Sequence, residues 1–187
     1  MEIIASPQDI FSKSDIKKVL LLRQDRLGDV IISLPLFEAF KANFPEKEFH
    51  ICLGEKNIAA TPFVQAFFQK IWYYEKNLFK IIPLILHLNA EHYDLIIDLL
   101  DSPSRTSSIM MKLIKSKYKL GFDKENRSVY THIVPLPNQS QVHIVDRVMN
   151  ILLPFNIATA NIDKKINLHI NDNIINPIPK NNNKKRL

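Results

Sequence analysis

An aspartate directly after a glycine, Gly28-Asp29, closes the polar turn of KVLLLRQDRLGDVIISLP, residues 18–35. An apolar strand enters this turn and an amphipathic helix leaves it. Loops at the carboxyl ends of parallel strands line the crevice in which open α/β sheets bind ligands, and a carboxylate held there can accept a proton as a general base. Asp25, in the same turn, is close enough to serve instead. The plainer reading is that glycine turns the chain and aspartate caps the helix, with no chemistry. Three arginines are candidates for an anionic ligand: Arg23, Arg26 and, after the strand YDLIIDL, Arg105. A guanidinium matches carboxylate and phosphate oxygens in pairs, although surface charge at helix starts explains arginines equally well. Arg105 is the strongest of the three, because it follows a strand end on the same predicted sheet edge as Asp29.

Beside Arg105 lie Ser102, Ser104 and Thr106, with hydroxyls for ligand contacts or for turn and cap roles, and Asp98 and Asp101, which read first as polar edge and turn. His143, Asp146 and Arg147 share a predicted helix that could face the same crevice, with no catalytic role assigned to the histidine. The other five histidines, His50, His87, His92, His132 and His169, form no HExxH and no paired metal spacing, and no serine stands in GxSxG. Metal enzyme and serine hydrolase readings fail on that count. With three glycines, Gly28, Gly54 and Gly121, neither a GxGxxG turn nor a Walker loop can be written, so a nucleotide would have to be held elsewhere. Each glycine falls at or near a predicted strand end, where a turn is expected to need its backbone freedom.

The elements that must position these residues alternate between strand and helix, the pattern of βαβ units around a parallel sheet. Five or six strands are expected besides a final edge strand, the first at 18–23, where the continuous run Val19 to Leu22 suits burial on both faces. A helix follows over 28–43, which Pro35 should bend unless its regular part begins near Leu34. Further strands are expected at 48–53, 70–74, 93–99, 117–122 and 129–135, with a final edge strand at 166–170. Helical patterns cover a stretch interrupted at Pro62, residues 78–91 with Pro83 near the start, the segment through Lys115, and 142–153 closed by Pro154.

At 187 residues and 46% hydrophobic, the chain supports one folded unit with a substantial core. The expected division is an N-terminal extension over 1–17, one domain over 18–172 and a disordered basic tail over 173–187, where Asn, Lys and Pro show no apolar periodicity. Lys180, Lys184, Lys185 and Arg186 lie in that tail, so four charges of the net +6 fall there and only +2 remains on the domain and its extension. No strand interleaves aromatic and basic residues, which argues against nucleic acid as a partner. The single cysteine, Cys52, excludes an internal disulfide and a cysteine metal cluster and fits a reducing compartment. The start MEIIASPQDIFSKSD lacks a basic region followed by an apolar one, and no run is long enough to span a bilayer, so a cytoplasmic protein is expected.

Four segments in order, RQDRLGDVIISLPLFEAFKANFP, EFHICLGEKNIAATPFVQ, YDLIIDLLDSPSRTSSIMMKLIKSKYKLGF and HIVDRVMNILLPF, are spread along the domain between residues 23 and 155 and resemble glycosyltransferase family 9, the bacterial heptosyltransferases. The resemblance implies a Rossmann-like, mainly parallel open sheet with helices on both faces, the N-terminal half of a GT-B enzyme. Asp29 falls at the family's catalytic base, with Asp25 on the approach to it, and Arg23, Arg26 and Arg105 become candidates for holding the acceptor. The implied reaction is inverting transfer of heptose from ADP-heptose to the lipopolysaccharide core at the inner-membrane surface, with no other cofactor, and the resemblance implies a cytoplasmic protein that can lie peripheral to that membrane. The resemblance also implies that the donor-binding half falls outside this chain, which is then expected to be a truncated product, inactive unless a separate donor domain joins it. A different class also fits the acidic strand ends: a non-catalytic receiver-like module with Asp25, Asp29, Asp98 and Asp101, although a lysine after a late strand to complete its site is not evident.

Overall fold

A computed structural model describes residues 1–12, 15–166 and 168. Seven strands form one all-parallel sheet: β1 (Glu2–Ile3), β2 (Lys18–Arg23), β3 (Glu48–Gly54), β4 (Lys70–Tyr74), β5 (Leu95–Asp98), β6 (Tyr118–Phe122) and β7 (His132–Val134). Their spatial order is β1-β7-β6-β5-β2-β3-β4. From β2 onward this is the doubly wound Rossmann order, in which the chain first builds outward through β3 and β4 and then returns to the other side of β2. The reversal lies between β2 and β5, which pair from Val19 with Leu95 to Leu22 with Asp98.

β2 is buried on both faces, as its unbroken apolar run requires. Val19 and Leu21 join one core cluster, with the inner residues of α1 (Leu27–Ile32), α2 (Leu34–Asn43) and α6 (Ile144–Met149). Leu20 and Leu22 join the other, beneath α4 (Leu78–Ala90) and α5 (Arg105–Leu113). The helix expected over 28–43 is two helices. Ser33 ends the first, its hydroxyl donating to the Asp29 carbonyl at 2.8 Å, and Pro35 stands in the first turn of the second, where its missing N–H costs nothing. Around Pro62 the expected interrupted helix is a 3-10 segment (Glu55–Ala60) leading into a single turn, α3 (Thr61–Val64). Pro83, by contrast, lies inside α4 without ending it, on the exposed side where water can serve the freed carbonyl.

The segment ahead of β2, expected as an extension, packs onto the domain. β1 adds to the sheet edge beside β7, Ile4 and Phe11 are fully buried, and the Ile10 and Phe11 amides donate to the Pro154 carbonyl. Two-residue strands carry too little pattern to be read from sequence. The tail over 173–187 and most of the edge strand expected at 166–170 lie outside the described residues.

The three glycines also differ from expectation, since none has a positive φ. Gly54 and Gly121 are required by close approach instead. A Cβ on Gly54 would stand 2.8 Å from the Gln24 carbonyl oxygen, and one on Gly121 would stand 2.6 Å from the Tyr130 ring. Gly28 has open space above it.

Candidate active site at the sheet switch point

The loops leaving β2 and β5 meet at the reversal, and Arg23 fastens them together. Its side chain is 1% exposed. Nε and Nη2 donate to the Asp29 carbonyl at 3.0 and 2.9 Å, while Nη1 donates to the Leu99 carbonyl. The same guanidinium faces two carboxylates: Asp25 Oδ2 at 3.1 Å and Asp29 Oδ1 at 3.9 Å. An arginine spent in this way is a bracket between strands, not a group presented to a ligand. Its expected place in acceptor binding is corrected accordingly.

Asp29 occupies the first turn of α1, where its Oδ2 accepts from the Arg26 amide at 3.2 Å. The side chain therefore takes a capping role at the start of the helix. It remains 30% exposed, and the open space over Gly28 adjoins it in the chain. Asp25 is placed differently. Burial pushes its carboxyl up to about 6, Arg23 opposes that shift, and the negative charges of Asp29 and Asp101 add to it. Its Oδ1 is buried with no hydrogen-bond partner. A carboxyl that titrates near neutrality beside an ionisable neighbour is the arrangement from which acid and base roles separate.

Arg26 and Arg105 stand at the starts of α1 and α5, the helices that follow the two switch-point strands. Both are exposed, and neither guanidinium has an ion-pair partner among the described residues. Ser104 caps α5 by accepting from the Ser107 amide at 3.3 Å, so it is structural. Thr106 lines a cleft of about 250 Å³ with Tyr74, Lys76, Asn77, Ile81 and Ile109. A neighbouring cleft of about 190 Å³ is lined by Gln24, Asp25, Gly54, Glu55, Lys56, Tyr74 and Lys76. Tyr74 and Lys76 belong to both. The two clefts thus run along the carboxyl ends of the strands, from Asp25 to α5.

Of the helix trio, Arg147 alone reaches the site, donating from Nη2 to Asp101 Oδ2 at 3.1 Å with its Nε buried and unpaired. Asp146 pairs with Lys164, and His143 caps α6 by accepting from the Val145 amide. Asp98 is fully buried. Its oxygens accept from the Leu100 amide, Ser107 Oγ, Tyr130 Oη and Lys124 Nζ. Lys124, just beyond β6, is the late-strand lysine that sequence reading did not find; no motif marks it. A carboxylate enclosed on all sides has no oxygen free to receive a phosphoryl group, which counts against the receiver-like reading.

At the opposite end of the sheet, Glu48, His50 and Glu91 bring ligand-type atoms within 4.8 Å of one another. Lys18 already bridges both glutamates, at 3.3 and 3.0 Å, and Lys70 pairs with Glu91. His50 bonds Tyr93 Oη and Glu48 through its two nitrogens, and burial holds its pKa below the ordinary value. The place a cation would take is filled by ammonium groups.

No protein-family model and no curated protein matches the chain in sequence. Solved structures do. E. coli heptosyltransferase WaaC with ADP superposes with a TM-score of 0.66 at 18% identity, over 80% of this chain and 51% of that one. A glycosyltransferase family 9 structure from Veillonella parvula gives 0.68 at 19% identity, over 83% and 44%. The chain has the fold of half a family 9 glycosyltransferase. E. coli ADP-heptose lipopolysaccharide heptosyltransferase II, at 0.61 and 14% identity over 83% and 47%, agrees with that family 9 assignment of the fold. This chain spans about half the length of each of these structures. The Rossmann-like fold and the resemblance expected from sequence are thereby shown at the level of architecture.

Proposed function

We propose that this chain is the acceptor-side half of a heptosyltransferase-type enzyme, with Asp29 as general base and Arg26 and Arg105 as the groups that hold an anionic acceptor. The observation that carries this reading is the switch point itself: a partly exposed carboxylate fixed in the first turn of α1, with two exposed arginines at the starts of α1 and α5 that form no ion pair among the described residues. In the proposed step an acceptor hydroxyl gives its proton to Asp29 as its oxygen attacks the anomeric carbon of ADP-heptose, and ADP departs. Asp25 keeps a second proton-exchanging group beside the base. Charge stabilisation on the diphosphate is assigned to a donor-binding half, since the three glycines of this chain form no phosphate cradle. The acceptor in this reading is the lipopolysaccharide core.

Two measurements test it. Heptose-free lipopolysaccharide should bind the purified chain, and Arg26→Ala with Arg105→Ala should weaken that binding by roughly a hundredfold, on the scale of two lost charge-assisted contacts. In a transfer assay completed with a family 9 donor half, Asp29→Asn should remove most turnover. Unchanged binding in the double arginine variant, or near-normal transfer by the asparagine variant, would overturn the assignment.

A further inference from the structure

α4 and α5 lie side by side over one face of the sheet. Tyr74, Ile81, Thr106 and Ile109 share a cleft near their first turns, and at the far ends Asn89 donates to the Leu113 carbonyl at 3.2 Å and accepts from the Lys115 amide at 2.6 Å. α4 is apolar nearly all round, which ordinarily means a helix buried on every side. It is buried on one side only. Leu84, Ile85 and Leu88 face the core, whereas Phe79, Ile82 and Leu86, at spacings of three and four, are 89%, 61% and 64% exposed. α5 continues the surface with Ile109 and Leu113, at 47% and 53%. These five residues account for most of the large apolar side chains left exposed after β1 and outside the C-terminal segment, and they sit on two adjoining helices.

The charges on the two helices themselves have one sign, while Glu75 before α4 and Glu91 after it are both held in ion pairs with lysines. α4 and α5 carry Lys80, Arg105 and Lys112 and no Asp or Glu, and Lys115 follows at once. Lys80 pairs with Glu75 in the preceding turn, while Lys112 and Lys115 have no ion-pair partner among the described residues. An apolar stripe bordered by lysines, on helices lying flat against a domain, matches the interfacial region of an anionic bilayer: the side chains enter the acyl boundary and the ammonium groups meet lipid phosphates. A second copy of this chain fits less well, because a two-fold contact would set this basic border against itself.

We infer that the outer face formed by α4 and α5 docks this protein onto an anionic phospholipid surface. The inference stands without the transferase reading, since its test contains no sugar and no glycolipid. Vesicles of phosphatidylethanolamine with phosphatidylglycerol should carry the full-length chain through a flotation gradient, and vesicles in which phosphatidylcholine replaces phosphatidylglycerol should carry much less. Phe79→Ser with Leu86→Ser should reduce partition roughly tenfold or more while circular dichroism stays native, because both side chains are exposed in the folded protein. Lys112→Gln with Lys115→Gln should remove the dependence on anionic lipid. Neutralising Lys184, Lys185 and Arg186 with glutamine is the control for the basic C-terminal residues. The inference is overturned if the wild-type chain does not float, if the tail variant alone abolishes flotation, or if the Phe79 and Leu86 changes convert a dimer to a monomer with vesicle binding unaltered.

Discussion

Asp25 and Asp29 lean on one guanidinium, yet their surroundings separate them. Asp29 holds a backbone amide and keeps its outer side open, whereas Asp25 has a buried oxygen with no partner and a carboxyl pushed up to about 6. In the transfer assay Asp29→Asn should cost on the order of a hundredfold to ten-thousandfold, because the amide can still accept the Arg26 N–H but cannot take a proton. Gly28→Ala should leave the fold intact, and by helix propensity slightly stabilise it, but a methyl group would enter the open space beside Asp29. Binding of heptose-free lipopolysaccharide should weaken while the thermal midpoint holds or rises. The position of Asp29 at the switch point was legible in the sequence because a strand, a Gly-Asp turn and a helix stand in a recognisable order. The role of Arg23 was not, since an arginine written at a strand end gives no sign that its head group turns back under the loop.

Among the elements, the sheet tolerates few changes where its loops touch its strands. Asp98 at the end of β5 and Lys124 beyond β6 form an enclosed pair, 3.1 Å apart, with Tyr130 and Ser107 on the same carboxylate oxygen. Lys124→Met should destabilise the protein by roughly 3–5 kcal/mol, read as a lower urea midpoint, because it leaves a buried charge without its partner. Gly121→Ala should cost about 1–3 kcal/mol for a related reason, as the added Cβ meets the Tyr130 ring at 2.6 Å and a packed core yields little. The helices were readable where periodicity was long and breakers were few. The division of 28–43 at Ser33 followed from Pro35, but the continuous α4 across Pro83 did not follow from any local rule; there the outward-facing position of the proline decided the outcome.

Across the whole molecule, two carboxylates at opposite ends of the sheet set opposite dependences on pH. Asp25 binds its proton more tightly when folded, so its contribution is present below the ordinary aspartate value of 3.8 and is lost as pH rises to about 6. Glu91 is held down to about 2 by hydrogen bonds from Lys70 and Lys18, so its contribution is present above the ordinary glutamate value of 4.5 and is lost as pH falls. Denaturant midpoints should therefore decline on both sides of the ordinary carboxylate range, with Asp25→Asn flattening the upper limb and Glu91→Gln the lower. The parallel character of the sheet and the positions of β2 to β7 were legible from the alternation of apolar runs with helical spacing. The seventh, β1, was not, because two residues have no period. That short strand governs how the chain closes. β1 pairs with β7, some 130 positions downstream, and the Asp9 bridge to Phe155 spans a longer separation still. Until those partners are synthesised β1 has no neighbour in the sheet, so it should dock after them although it precedes them in the chain. An affinity tag fused ahead of β1 would hang on a seam only two residue pairs long.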